Sequence, residues 1–140
     1  MFSKIAKEFK WEMSHRLPFH KGECKNIHGH SYKLRIELSG KVDDNGMLID
    51  YYNIEKIVMP LVRKLDHAFI CNEADTLMLE FLTKHNFKHY VIKENTTAEN
   101  LADFFISKLS PQFKNYSNIN HIIIRVYETE DAYAESESKL

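Results

Sequence analysis

The sequence is poor in residues that interrupt or cross-link a chain, and it contains no long apolar run. Four glycines, three prolines and two cysteines are spread over 140 residues, without a repeat, a low-complexity tract or a disulfide framework. No apolar stretch approaches the roughly 18 residues that a transmembrane helix requires. The first residues contain no apolar core of a signal peptide. We therefore expect a cytoplasmic protein with free thiols and no membrane partner.

An excess of charge of one sign is also absent. Nineteen basic and 20 acidic residues give a formal net charge of −1. Nucleic acids and anionic surfaces are usually bound by a basic face, so neither is expected as the main partner. A net charge near zero favours association between copies of a chain. The length is that of one domain, and we predict a single domain over residues 1–140.

Alternating and helical patterns predict the elements of the fold. Residues 4–15, 28–38 and 119–129 alternate apolar and polar side chains with a period of two, which predicts strands. Residues 53–65 have helical spacing, with Asn53 as a possible cap and Pro60 as a conflicting signal. A weaker helix is expected over 76–84, and a clearer one from the capping box at 96–99 to Pro111. The tail after Tyr133 is expected to be frayed. The order favours an antiparallel sheet with helices on one face.

Three histidines lie where two predicted strands would meet. His28 and His30 are two residues apart in a strand, so their side chains point to the same side, and Gly29 between them has no side chain. His15 ends the preceding strand and would lie beside them if the two strands pair as antiparallel neighbours. Three imidazoles without a fourth protein ligand are typical of a catalytic zinc site, although iron, nickel or copper would also accept them. Histidines with a purely structural role are the alternative.

Four further residues are candidates for chemistry. Cys24 lies in a polar segment, where a thiol near a dication could act as a fourth ligand, a nucleophile or a general base. Asp66 directly precedes His67, and a carboxylate beside a histidine can fix its tautomer; a polar pair at a helix end is the alternative. Glu128 shares a strand face with apolar residues, so it either binds a partner or lies beyond the core.

With these residues in place, the chain resembles the 6-pyruvoyl-tetrahydropterin synthase / 6-carboxytetrahydropterin synthase family. The matching segments occur in family order and cover nearly the whole chain. They are His15-Arg16-Leu17, Cys24-x-x-x-His28-Gly29-His30-Ser31-Tyr32, Gly46-Met47-Leu48-Ile49-Asp50-Tyr51, Leu65-Asp66-His67, Thr97-Ala98-Glu99-Asn100-Leu101 and Tyr127-Glu128-Thr129.

The resemblance implies a fold and an assembly. The fold is α+β, the tunnelling fold (T-fold), with a four-stranded antiparallel sheet and two helices on one face. Family members are homo-oligomers, usually trimers stacked as hexamers, and their active sites lie between subunits. Closing the sheets of several subunits into one barrel would remove exposed sheet edges.

The resemblance also implies roles for the candidate residues. His15, His28 and His30 match the zinc ligands, Cys24 matches the catalytic thiol, and Asp66 and His67 match the proton-relay pair. Three further positions match the substrate site: Glu128 corresponds to the carboxylate that anchors the pterin ring, and Thr97 and Glu99 to positions near it. A capping role for Glu99 remains the alternative.

The implied enzyme is a zinc-dependent carbon–carbon lyase acting on 7,8-dihydroneopterin triphosphate. The spacing Cys24-x-x-x-His28 resembles the bacterial members that form 6-carboxy-5,6,7,8-tetrahydropterin for queuosine synthesis, releasing acetaldehyde and triphosphate. Formation of 6-pyruvoyl-tetrahydropterin is the alternative product. An alternative of another class is a non-catalytic module that binds a metal or a pterin. Glu23, beside Cys24, could add a side activity, because a related branch uses a glutamate in place of the cysteine.

Overall fold

The computed structural model describes residues 1–140, which form one six-stranded sheet and three helices. The strands are β1 (Phe2–His15), β2 (His28–Lys41), β3 (Ala68–Asn72), β4 (His89–Ile92), β5 (Ile119–Thr129) and β6 (Ala132–Lys139). The helices are α1 (Tyr51–Leu65), α2 (Thr76–Lys84) and α3 (Ala98–Phe113). The strand order in the sheet is β4-β3-β1-β2-β5-β6. No helix is both long enough and apolar enough to cross a membrane.

The α+β class is confirmed, but the expected four-stranded, purely antiparallel sheet is wrong. Strands β1, β2, β5 and β6 pair antiparallel. In contrast, β3 pairs parallel with β1, and β4 pairs parallel with β3, so the sheet is mixed. The first four residues of β3 are all buried. A short strand buried on both faces reads as a continuous apolar run, and alternation cannot reveal it.

The C-terminal tail forms a strand, so the prediction that it is frayed is wrong. β6 pairs with β5 from His121↔Lys139 to Thr129↔Ala132. Its acidic side chains find cross-strand partners, because Arg125 Nε lies 2.6 Å from Glu135 and His121 Nε2 lies 2.9 Å from Glu137. Such pairs stabilise a strand whose own sequence is polar.

The helices differ in number and in their starts from the predictions. Three helices are present rather than two, since the weakly predicted α2 forms over the expected residues. α1 starts earlier than predicted, because the carboxylate of Asp50, rather than Asn53, caps it by accepting from the Tyr52 N–H at 2.8 Å. The helix continues through Pro60. Burial of one apolar face against the sheet offsets the cost of that proline, and the face consists of Ile54, Val58, Val62 and Leu65.

Helices α1 and α3 cover one face of the sheet, and α2 packs on the other face against Phe69 and Cys71 of β3, so that this second face is open over β1 and β2. On the helix-covered face, Trp11 and Tyr32 are buried and their rings stack with centroids 5.3 Å apart. On the open face, Glu12 and Ser31 are exposed and joined by a hydrogen bond of 2.7 Å. The apolar core therefore ends at Tyr32, and the next positions on the same face toward the start of β2 are histidines.

Candidate metal centre

The register between β1 and β2 brings the three predicted histidines together. His15 pairs with His28, and Met13 pairs with His30. One ring nitrogen from each histidine lies within 4.8 Å of the others, and the Nε2 atoms of His15 and His28 are 3.1 Å apart. His15 is buried and the other two are partly buried. The three imidazoles are close enough to hold one metal ion.

The environment keeps His15 and His30 in the uncharged form that binds metals. Burial, helped by the neighbouring histidines and opposed by a hydrogen bond to Thr96, lowers the pKa of His15 to about 4. Burial also lowers the pKa of His30, although the Glu128 carboxylate acts in the opposite direction. Metal binding to a histidine requires the neutral ring, so neither ligand must lose a proton at neutral pH.

The hydrogen bonds of the rings test whether a cation fits. The Nδ1 atoms of His15 and His28 lie 2.8 and 2.7 Å from the carbonyl oxygens of Thr96 and Asn26. A carbonyl only accepts, so each Nδ1 carries the proton, and in the neutral rings both Nε2 lone pairs face each other. Nε2 of His30 is buried without a hydrogen-bond partner. Three converging lone pairs are costly alone and favourable around a cation, so the residues fit a metal ion.

Glu128 lies beside this cluster, at an irregularity of the β5–β6 pairing. Its carboxylate is 3.7 Å from Nε2 of His30. The β5–β6 register shifts between Tyr127 and Thr129, so Glu128 has no partner in β6; such bulges re-aim a side chain. Glu128 and Glu99 both line a cavity of about 360 Å³ next to β6.

The start of α3 assigns Thr97 a structural role and corrects the predicted cap. The Thr97 hydroxyl accepts from the Asn100 N–H at 3.2 Å and caps α3. The expected capping box between Thr96 and Glu99 is therefore wrong by one residue. Glu99 lines the cavity and is not part of the cap, whereas Thr97 does not line the cavity.

Cys24 lies in a short 3₁₀ turn over Glu23–Lys25. Its carbonyl oxygen accepts from the Leu17 N–H at 2.8 Å, which holds the turn beside the segment that follows His15. The thiol is partly buried and unbridged, and it is outside the group of three ligand atoms. This placement gives no support to Cys24 as a fourth metal ligand.

Asp66 and His67 contact each other. The Asp66 carboxylate accepts from His67 Nδ1 and from the Glu12 N–H, both at 3.0 Å, and the backbone donor of Glu12 contributes most to lowering the Asp66 pKa. His67 has a left-handed backbone (φ 60°) and a largely exposed side chain. It lines a cavity of about 370 Å³ with Glu12 and Ser31 on the open face. His30 lines the same cavity, but His67 is outside the group of three histidines whose ligand atoms lie within 4.8 Å of one another.

With this geometry described, comparison with known proteins gives the family. A family model described as 6-pyruvoyl tetrahydropterin synthase matches residues 4–139. The chain belongs to this family. A relative from Haemophilus influenzae named 6-carboxy-5,6,7,8-tetrahydropterin synthase is 36% identical, over 94% of this chain and 96% of its own. One from Archaeoglobus fulgidus, named putative 6-carboxy-5,6,7,8-tetrahydropterin synthase, is 34% identical over 87% and 84%.

Solved structures show the same fold as this member of the 6-pyruvoyl tetrahydropterin synthase family. The 6-pyruvoyltetrahydropterin synthase of Plasmodium vivax superposes with a TM-score of 0.79 at 17% identity, over 100% of this chain and 99% of that one. An uncharacterised protein from Wolinella succinogenes gives 0.81 at 19% identity, over 97% and 98%. The predicted tunnelling fold is thereby confirmed.

Three residues around the metal centre of this family member were missed by the sequence analysis. They are Arg16, Asp75 and Thr96, which are hydrogen-bonded to one another or to His15. Arg16 was present in the first motif without a role, and Thr96 was interpreted as a helix cap. In the structure Thr97 caps α3, so the hydroxyl of Thr96 is free to make other contacts. No sequence pattern points to Asp75.

Proposed function

We propose that this chain is a zinc-dependent lyase. Its reaction converts 7,8-dihydroneopterin triphosphate and water to 6-carboxy-5,6,7,8-tetrahydropterin, acetaldehyde and triphosphate, a step toward queuosine. The observation that carries the proposal is the convergence of His15, His28 and His30, with one ring nitrogen of each within 4.8 Å of the others. The names of the relatives at 36% and 34% identity support the product. Two free cysteines suit a reducing compartment, so we place the reaction in the cytoplasm.

The metal would be held by the three imidazoles, with a position open for substrate. Zinc bound there supplies Lewis acidity to the hydroxyl groups of the substrate side chain. The Cys24 thiolate accepts a proton from that side chain, since the turn that contains it lies beside the segment after His15. The hydrogen bond from His67 Nδ1 to Asp66 leaves Nε2 of His67 to exchange a second proton.

The pterin ring would be anchored by Glu128. A pterin presents two adjacent N–H donors, and one carboxylate accepts both. Glu128 is free of a strand partner and close to His30, so a ring bound to it would place its side chain near the metal. Glu99, in the same cavity, is the second candidate for a ring contact, and Thr97 supports that end of the site by capping α3.

The position of His67 favours an active site shared between copies of the chain. His67 lines a cavity with Glu12 and Ser31 of the open face, and it is outside the group of three histidine ligand atoms, although His30 also reaches that cavity. A homo-oligomer, trimeric or hexameric, would bring His67 of one copy to Cys24 of the next. It would also cover the free edges of β4 and β6, which are otherwise open to unwanted pairing.

Mixing two inactive variants tests this sharing. Cys24→Ala and His67→Ala should each be inactive alone, and a mixed oligomer refolded from equal amounts should regain about a quarter of wild-type turnover, because random mixing leaves that share of sites intact. Turnover of the mixture is compared with that of Cys24→Ala mixed with a Cys24→Ala/His67→Ala double variant, which should remain inactive. A mixture without any recovered turnover would contradict the shared site.

The product assay tests the proposed reaction. Zinc-loaded protein is incubated with 7,8-dihydroneopterin triphosphate, and acetaldehyde, triphosphate and the pterin are measured together. We expect equimolar acetaldehyde and 6-carboxytetrahydropterin. Triphosphate release without acetaldehyde would replace the proposal by 6-pyruvoyl-tetrahydropterin formation. Tight pterin binding without triphosphate release would replace it by a non-catalytic binding module.

A further inference from the structure

His15 is oriented by a residue far away in the sequence. Its Nδ1 donates to the carbonyl oxygen of Thr96 at 2.8 Å and lies 3.2 Å from the Thr96 hydroxyl. The two residues are 81 positions apart, and Thr96 is only 1% exposed, in the loop between β4 and α3. Because a carbonyl accepts only, the bond keeps the proton on Nδ1 and directs the Nε2 lone pair toward the other histidines.

Thr96 is itself tied to the residue that follows His15. Its hydroxyl lies 3.4 Å from the carbonyl oxygen of Arg16 and donates to it. The hydroxyl and the carbonyl of one threonine therefore contact two consecutive residues at the end of β1. Rotation of the His15 ring would break at least one of these contacts.

Arg16 is fixed in turn by a two-point ion pair. Its Nε and Nη2 donate to the two carboxylate oxygens of Asp75 at 2.7 and 2.5 Å, and the Asp75 side chain is 5% exposed. Asp75 also caps α2 by accepting from the Met78 N–H at 3.4 Å. The guanidinium contributes most to lowering the pKa of Asp75. Asp75, Arg16 and Thr96 thus link α2, the end of β1 and the loop before α3.

This pair, in which Asp75 is buried and Arg16 partly buried, is poorly explained by stability alone. Removing both charges from water costs free energy that their attraction only partly returns, and apolar replacements are often as stable. What a planar, two-point contact provides is a fixed direction. Here the contact fixes the orientation of Arg16, which immediately follows the candidate metal ligand His15.

We propose that Thr96, held by the Arg16–Asp75 pair, is a positioning residue that presents Nε2 of His15 to the metal. None of the three touches the ion, but together they set its affinity. In metalloproteins, losing the partner of a histidine ligand lowers metal affinity by about 10- to 100-fold. The inference rests on the metal centre of the proposed function and is independent of the reaction catalysed.

Metal titration of the whole, metal-free protein against a competing chelator tests the proposal. Asp75→Asn and Arg16→Lys should each weaken zinc affinity by about tenfold. Thr96→Val, which keeps the carbonyl and loses the hydroxyl, should have a smaller effect in the same direction, and Thr96→Ser should restore wild-type affinity. Cobalt, whose absorption reports ligand geometry, should give a shifted spectrum in the three weakened variants.

A matched control separates positioning from general destabilisation. Glu55→Gln breaks the 3.1 Å pair between Lys7 and Glu55, which is away from the histidines, and should leave zinc affinity unchanged. If Asp75→Asn does not fold, Thr96→Val and Thr96→Ser carry the test. Variants that melt at a lower temperature yet bind zinc within twofold of wild type would overturn the proposal.

The ring tautomer gives a second readout that does not require activity. Nitrogen NMR of the metal-free wild type should show His15 protonated at Nδ1, with exchange between tautomers increased in Thr96→Val. A wild-type protein that binds no zinc would end both this proposal and the proposed function. Zinc binding with variant effects but without turnover would end the proposed function alone, and zinc binding without variant effects would end this proposal alone.

Discussion

Replacing His28 by alanine is expected to remove both the bound zinc and the turnover. The Nε2 atoms of His28 and His15 are 3.1 Å apart, and the Nδ1–H of His28 is already fixed by Asn26. Without this ring only two imidazoles remain, too few for a tightly held zinc. Because Lewis-acid stabilisation is worth several kcal/mol, turnover should fall by about a thousandfold or more. Elemental analysis and the acetaldehyde assay measure the two losses.

The control for this variant is another histidine of the same chain. His89 is at the start of β4, and its ring contacts only the carbonyl oxygen of Phe87, at 2.8 Å. His89→Ala should keep one zinc per chain and full turnover. His28 is at the first position of β2 and partly exposed, so its loss should leave the fold intact by circular dichroism. One zinc per chain retained in His28→Ala would contradict the assignment of His28 as a zinc ligand.

Cys24→Ala is expected to abolish turnover while leaving the zinc in place. The thiol is outside the three-histidine cluster, so no ligand is lost. It is the proposed proton acceptor, and removing a positioned general base usually costs about 10²- to 10⁴-fold in rate. The contrast with His28→Ala is the informative part, because one variant loses both properties and the other loses only one. Zinc content and turnover should be measured on the same preparation.

Two neighbours serve as controls for Cys24. Cys71 is buried on β3, where burial raises the pKa of its thiol to about 11, so Cys71→Ala should keep turnover per folded molecule. Glu23 is exposed beside Cys24, and Glu23→Gln should also keep it. Full turnover in Cys24→Ala would show that another group accepts the proton from the substrate side chain. If the same turnover were instead lost in Glu23→Gln, that group would be Glu23.

The comparison with Plasmodium vivax bears on this contrast. Two solved structures of the Plasmodium vivax protein are of variants in which a catalytic glutamate of that protein is replaced. At 17% identity the likeness to this chain shows the fold alone. The choice between Cys24 and Glu23 therefore depends on the variants of this chain, and the two substitutions give opposite results under the two assignments.

Alternation along the strands was enough to predict the cluster of three histidines. The odd positions of β1 and the even positions of β2 read as one apolar face that ends in histidine, and antiparallel neighbours must bring the end of the first beside the start of the second. The same rule made Glu128 conspicuous among apolar neighbours, and the structure places it beside His30. These features are local in sequence or follow from one strand pairing.

Features that depend on distant partners were not predictable. The polar strand β6 looks like a frayed tail until Arg125 and His121 supply partners for its carboxylates across the ladder. β3 has five residues and β4 has four. Strands this short do not show a clear alternation of apolar and polar side chains. Thr96 has the sequence signature of a cap, and only the packing of its loop against β1 shows that it contacts His15 and Arg16.

The sequence by itself determined which side chains form the cluster of His15, His28 and His30, because a period of two fixes the face of every residue in a strand. Only the tertiary structure decided that His67 lies outside that group of three and that Thr96 is hydrogen-bonded to its first member. The reason is physical: alternation is a property of the chain within a few residues. The direction of a loop or the partner of a buried charge is set by which distant segments pack together.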